Sequence, residues 1–207
     1  MSLTLFTTLL TVMAVLFPSC TMVRRVPSVP IEFARVQSID VREKLPISVG
    51  ILIPDEAKDA TARYETSLFS TKVIYETKPG EAVEKASIDA FSQVFQEVKV
   101  IRNLEDAKSC ALYLEPRVES VKIIPGAYWF LSAYYVKTRV RVIAHSGSLE
   151  VWNESLQNRG RSKPWFWQPN RRSLGEVIAS TLSKCLEELA GFMARDPRIQ
   201  VLGRQVR

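Results

Sequence analysis

The chain has 207 residues, 46% of them hydrophobic and 24% charged, and a formal net charge of +6. That length supports one domain with a proper core, and the basic balance suits nucleic acid, anionic lipid headgroups or an acidic protein without choosing among them. The eight glycines fall in neither dinucleotide-binding nor P-loop order, and the single histidine and three cysteines show no metal-ligand spacing.

Met1 to Val23 contains no Asp, Glu, Lys or Arg. The apolar run Leu3 to Phe17 has the length of a signal-peptide core, and Pro18-Ser19-Cys20 closes it with a turn former and a small residue. The expectation is a signal peptide over residues 1–19, with Cys20 taking diacylglycerol and fatty acid such as palmitate at the new N-terminus. The uncharged start and Phe17-Pro18 depart from the usual lipobox. An uncleaved membrane helix over Leu3 to Val23 therefore stays open, with Arg24-Arg25 holding the remaining chain in the cytoplasm.

Residues 20–46 carry Pro27, Pro30 and Pro46 and little periodicity, which predicts an extended tether. A single α+β domain is expected over residues 47–200, followed by a tail at 201–207. Ile47 to Ile53 reads as an interior strand stopped by Pro54. Asp55 to Tyr64 suits a short helix or loop, and Leu68 to Thr77 a second extended segment. Val83, Ala86, Ala90, Phe91, Val94 and Phe95 predict a helix from Glu81, followed by a short strand over Val98 to Ile101.

Asn103 to Lys108 then turn the chain into a strand over Ala111 to Val118. A long hairpin is predicted with arms Glu115 to Ile124 and Phe130 to Ala144 about a turn at Ile124-Pro125-Gly126-Ala127. In its second arm Val136, Thr138, Val140, Val142 and Ala144 alternate with Lys137, Arg139, Arg141 and His145, which gives a wet basic face. Leu149 to Ser155 is the next antiparallel strand. The last helix is capped by Ser173 with Glu176 in a capping box, runs on Val177, Ile178, Leu182, Cys185, Leu186, Leu189 and Phe192, and stops at Pro197. The sum is an α+β fold: a mixed or antiparallel sheet of about five strands with two helices packed on one face.

This order resembles small bacterial envelope lipoproteins of the YajG, LptE and ABC-transport auxiliary kind, similar in fold to the N-terminal domain of TolB. The likeness rests on Val49-Gly-Ile-Leu-Ile-Pro54, Pro79 to Ala86 leading to Val94 to Val100, Val140-Arg-Val142, Val151-Trp152 and the closing helix. It implies an outer-membrane lipoprotein facing the periplasm, an accessory or scaffold part of a transport or assembly machine, some such proteins forming rings. Export would exclude nucleic acid as a partner.

No residue pattern demands catalysis or a cofactor. His145 beside Ser146, the helical acids Glu81, Glu84, Asp89, Glu187 and Glu188, and Asp55-Glu56 after a strand all read more simply as surface groups. Cys110 and Cys185 form an even pair that an oxidising compartment could join, or two buried thiols. The better candidates for partner or membrane contact are aromatic: Trp129 and Phe130 beside Tyr128, and Trp165, Phe166 and Trp167 with Arg171 and Arg172 close behind. The expected role is a non-catalytic membrane-tethered lipoprotein that contacts envelope proteins and can self-associate. Its alternatives are a periplasmic lipid- or glycan-binding protein, or a membrane-anchored domain with an uncleaved N-terminal helix.

Overall fold

A computed structural model describes residues 22–26, 29–41, 43–55, 58, 61–68, 71–128, 131–162, 165–166 and 171–205. Strand β1 is Met22–Val26, β2 Leu45–Leu52, β3 Ala62–Leu68 and β4 Thr71–Thr77; helix α1 is Gly80–Phe91, followed by β5 Phe95–Ile101 and the one-turn α2 Leu104–Ala107. Then come β6 Leu112–Tyr128, β7 Leu131–Ser146, β8 Leu149–Arg161, β9 Trp165–Phe166, the long helix α3 Arg171–Arg195 and α4 Pro197–Gln205.

The main sheet has the order β5-β2-β6-β7-β8, with β9 added to β7 beyond the end of β8. β2 runs parallel to both β5 and β6, while β6, β7 and β8 form an antiparallel meander, so the sheet is mixed. α1 and α3 cover one face, which gives the expected α+β layer. Strand alternation fixes which residues go inside: Ile47, Val49, Ile51 and Ile53 of the β2 region and Val136, Val140, Val142 and Ala144 of β7 join one core with the helices. From α3 the core takes Leu174, Ile178, Leu182, Cys185, Leu186, Leu189 and Met193, all fully buried at helical spacing. Phe192, expected in that stripe, is 48% exposed; one helical step of about 100° carries it off the face that Met193 occupies.

The structure adds a second sheet, β1-β4-β3, in which β4 coincides with the extended segment expected over Leu68 to Thr77. β1 pairs parallel with β4 and β3 antiparallel with it, so part of the predicted tether and of the 55–64 helix or loop is strand. The buried hydroxyls of Tyr75 on β4 and Tyr134 on β7 meet at 2.9 Å, with the rings edge to face, and join the two sheets. From Val29 to Val41 the chain forms neither helix nor strand and is strapped along the helices. Val29 and Val36 are buried. The Val36 N–H donates to Asp89 of α1 at 2.8 Å and the Ile39 N–H to Gln93 at 2.8 Å, and the Ser183 hydroxyl of α3 donates to the Ala34 carbonyl at 2.6 Å.

The hairpin turn expected at Ile124 to Ala127 does not form; β6 continues through Pro125 and Gly126 to Tyr128. Register explains why proline is tolerated there. Tyr134, opposite Pro125, turns both its N–H and its carbonyl toward Ser162 on the other side, each bond 2.8 Å, so Pro125 interrupts no ladder bond. α1 also ends earlier than expected, at Phe91, so that Val94 and Phe95 enter the core from the turn and strand that follow.

Ser173 lies inside the first turn of α3 and is not its cap, and Glu176 pairs instead with Arg172 at 3.3 Å. Beyond α3, the expected tail is helical through Gln205: Asp196 caps α4 by accepting the Arg198 N–H at 2.8 Å, Pro197 occupies the first helical position, and Ile199 is fully buried.

One polar tie has a pH signature. Glu84 of α1 accepts from Arg102 at 2.9 Å and lies 3.4 Å from Lys58, while Arg102 also donates to the Ile53 carbonyl at 3.0 Å. The Arg102 hydrogen bond holds the Glu84 carboxyl below its ordinary 4.5 despite an opposing desolvation. A depressed folded-state value contributes stability above the unfolded-state value, lost as pH falls through the folded one. Glu84→Gln is therefore expected to cost about 1 kcal/mol at pH 7 and to flatten the acid side of the stability profile, read by urea unfolding at neutral and acid pH.

Candidate interaction surface

The open face of the main sheet, opposite the helices, carries the residues that alternate with the core positions of β6, β7 and β8. Register sets them in cross-strand rows. Nearest the start of β6, Tyr113 and His145 face each other with their rings stacked at 4.7 Å, and Glu115 stands 3.8 Å from the His145 Nε2. Next, Arg117 pairs with Glu115, Arg141 with Glu119 at 2.6 Å, and the Ser155 hydroxyl donates to Glu119 at 2.9 Å. This half of the face is charge-compensated.

Toward the hairpin end the pattern changes. Arg139 lies between Ser120 and Gln157, and Lys137 lies directly between Lys122 and Arg159, a row of three cations across three strands. Tyr135 follows between Ile124 and Arg161, with the guanidinium 5.3 Å from the ring centre. Among the described residues, no carboxylate comes within ion-pair distance of Lys122, Lys137, Arg139, Arg159 or Arg161. Sequence alternation exposed the β7 part of this face; the contributions of β6 and β8 required the register.

The aromatic candidates fall at the far end of the same hairpin. Cys20, Trp129, Phe130 and Trp167 lie outside the described residues. Trp165 and Phe166 form β9, whose backbone pairs Trp165 with Ser132 and Phe166 with Leu131, three residues past Tyr128. The two aromatic segments, 37 positions apart from Tyr128 to Trp165, are thus carried by neighbouring strand ends. Arg171 opens α3. Arg172 is held by Glu176 and, at 3.7 Å, by Glu32 of the strap, which makes it a fastening of that segment.

The remaining candidates have structural tasks. Glu81 pairs with Lys85 at 2.6 Å, Asp89 and Glu187 accept strap N–H groups, Glu188 accepts from Asn158 at 3.2 Å, and Asp55 lies 3.6 Å from Arg102. The disulfide left open between Cys110 and Cys185 does not form, and both thiols are free. Cys185 is in the core under α3, where burial pushes its thiol up to about 11. Cys110 packs beside Gly50, Ile101 and Leu52 in a small cluster under α2 on the opposite side of the sheet; a bond between the two would have to cross the sheet. No group of three or more His, Cys, Asp or Glu able to hold a metal occurs among the described residues. The space between sheet and helices is filled by Ile47, Ile51, Leu112, Leu114, Ile178 and Leu182, all below 2% exposure. A shallow groove lies outside it, between the strap and α3, lined by Ser38, Asp40, Glu187 and Phe192 among others.

No protein-family model matches the chain, and no curated protein does. Among solved structures it is similar to a DUF330-family protein of Xanthomonas campestris, at 12% identity over 89% of this chain and 98% of that one, with a TM-score of 0.53. This likeness is one of fold. Weaker resemblances are to the PelC dodecamer of Paraburkholderia phytofirmans, at 12% identity over 77% and 94% with a TM-score of 0.37, and to a neuraminyllactose-binding hemagglutinin homologue of Helicobacter pylori, at 7% identity over 81% and 97% with a TM-score of 0.41.

Proposed function

We propose that this chain is a non-catalytic lipoprotein of the bacterial envelope, anchored by acyl chains on Cys20 in the outer membrane and facing the periplasm, where it serves as an accessory or scaffold subunit of a transport or assembly machine. The observation that carries this reading is the junction at Cys20. Cys20 follows the apolar run Leu3 to Phe17 within the charge-free stretch Met1 to Val23, and strand β1 begins at Met22. Two residues span at most about 7 Å, so lipid on Cys20 would hold the folded domain against the bilayer with almost no linker. Among the described residues no helix is long and apolar enough to cross a membrane. The outer edge of β8, 13 residues long, has no partner strand among the described residues and offers an edge for an envelope protein or a second copy.

Stable anchoring needs two acyl chains or an equivalent second signal. Cys20→Ala is expected to move the chain from the membrane fraction to the soluble fraction, or to leave it as uncleaved precursor. Membrane association with normal processing in that variant would contradict the proposal.

A further inference from the structure

Among the described residues the cationic half of the open sheet face meets no carboxylate, and its placement is energetically unfavourable in isolation. Side chains directly opposite on neighbouring strands stand about 5 Å apart at Cβ, and like charges there repel. Lys122, Lys137 and Arg159 occupy such a row, with Arg139 and Arg161 on either side of it along the strands. The same strands compensate their other half with Glu115 and Glu119, so the lack of acid is confined to this one area. An array of external anions would relieve the repulsion.

The shape of the area points to what that array is. The five side chains rise from three adjacent strands on a surface open to solvent, which suits many charges in a plane better than one enclosed anion. Ile124, 43% exposed, and the Tyr135 ring continue the strip along β6 and β7. Apolar and aromatic groups adjoining cations match the boundary of a bilayer, where headgroup charge gives way to acyl chain. We propose that Lys122, Lys137, Arg139, Arg159 and Arg161 dock this face on anionic lipid headgroups. The proposal rests on the reading that the chain is held at a membrane; Cys20 supplies the anchor and the sheet face sets the orientation.

The test uses the full chain reconstituted in vesicles of phosphatidylcholine, with or without about 30% phosphatidylglycerol, and follows lysine acylation by a water-soluble ester with peptide mass spectrometry. Flotation with neutral vesicles reads the anchor; the lysine pattern reads the face. A basic residue beside an anionic leaflet gains about fivefold in occupancy, so Lys122 and Lys137 are expected to react at least about fivefold more slowly in anionic than in neutral vesicles. Lys85 and Lys108, exposed elsewhere, are expected to keep their rates, and about 0.5 M salt is expected to abolish the protection. Arg139→Gln/Arg159→Gln, exposed on the strands, is expected to remove most of the protection with folding unchanged. Equal rates at Lys122, Lys137 and Lys85 in both vesicle types would overturn the proposal even where flotation succeeds. So would protection found in native membranes but absent from anionic vesicles, which would assign the face to an acidic protein.

Discussion

Replacing Gly175 by leucine is expected to lower the stability of the protein by about 3 kcal/mol, seen as a fall in the urea midpoint. A Cβ at Gly175 would lie 1.8 Å from the Pro30 carbonyl oxygen and 3.0 Å from its carbon. The obstacle is backbone, so the strap must leave α3 or the helix must shift. Leaving would expose Val29 and Val36 and break the bonds from Val36, Ile39 and Ser183. Gly191, in the last two turns of the same helix, provides the contrast. A Cβ there would meet only the Ile39 methyl at 3.8 Å and Arg195 at 4.0 Å, an ordinary contact. Gly191→Ala is therefore expected to stabilise by about 0.5–1 kcal/mol through helix propensity. If both substitutions move stability in the same direction, the strap is not seated on α3 as described.

The second large effect is expected from Leu186→Ala. Leu186 is fully buried, within the stripe that α3 presses onto β7 and β8. Surrounding side chains from a sheet and a second helix cannot collapse freely into the space left, so the loss is expected near 3–4 kcal/mol, or a fall of about 10 °C in Tm for a domain of this size. Phe192→Ala on the same helix removes a larger side chain from an exposed position and is expected to cost less than about 1 kcal/mol. The ordering of these two variants, read by thermal unfolding, separates the observed stripe through Met193 from one through Phe192.

That contrast also marks what could be read in the sequence. β2 is legible because an interior strand is apolar at nearly every position, and β7 because Val136 to Val142 alternate with Lys137, Arg139 and Arg141 before Ile143 breaks the pattern. The mixed sheet with helices on one face followed from those elements. The second sheet was not legible: β1 is Met-Val-Arg-Arg-Val, β3 carries Arg63 and Glu65 among small polar residues, and only tertiary pairing makes them strands. Local chemistry at Pro125-Gly126 favours a turn; the register that places Pro125 at a position needing no N–H is a long-range fact. α4 does have a sequence signal, since Asp196-Pro197 is a cap followed by a helix-starting proline as well as a stop for α3. For the surface, alternation in β7 disclosed Lys137 and Arg139, but the row with Lys122 and Arg159 depends on how three strands align. The aromatic segments around Tyr128 and Trp165 could be named but not brought together, because β9 joins β7 through a pairing no local pattern encodes.

The proposed membrane role of the basic face depends on what happens at Cys20. Mass analysis of the N-terminal peptide of the chain isolated from bacterial membranes tests this most directly. The account predicts a peptide that begins at Cys20 and carries the mass of diacylglycerol and of an N-linked fatty acid; a peptide that begins at Met1 or Ser2 with an unmodified Cys20 would contradict it.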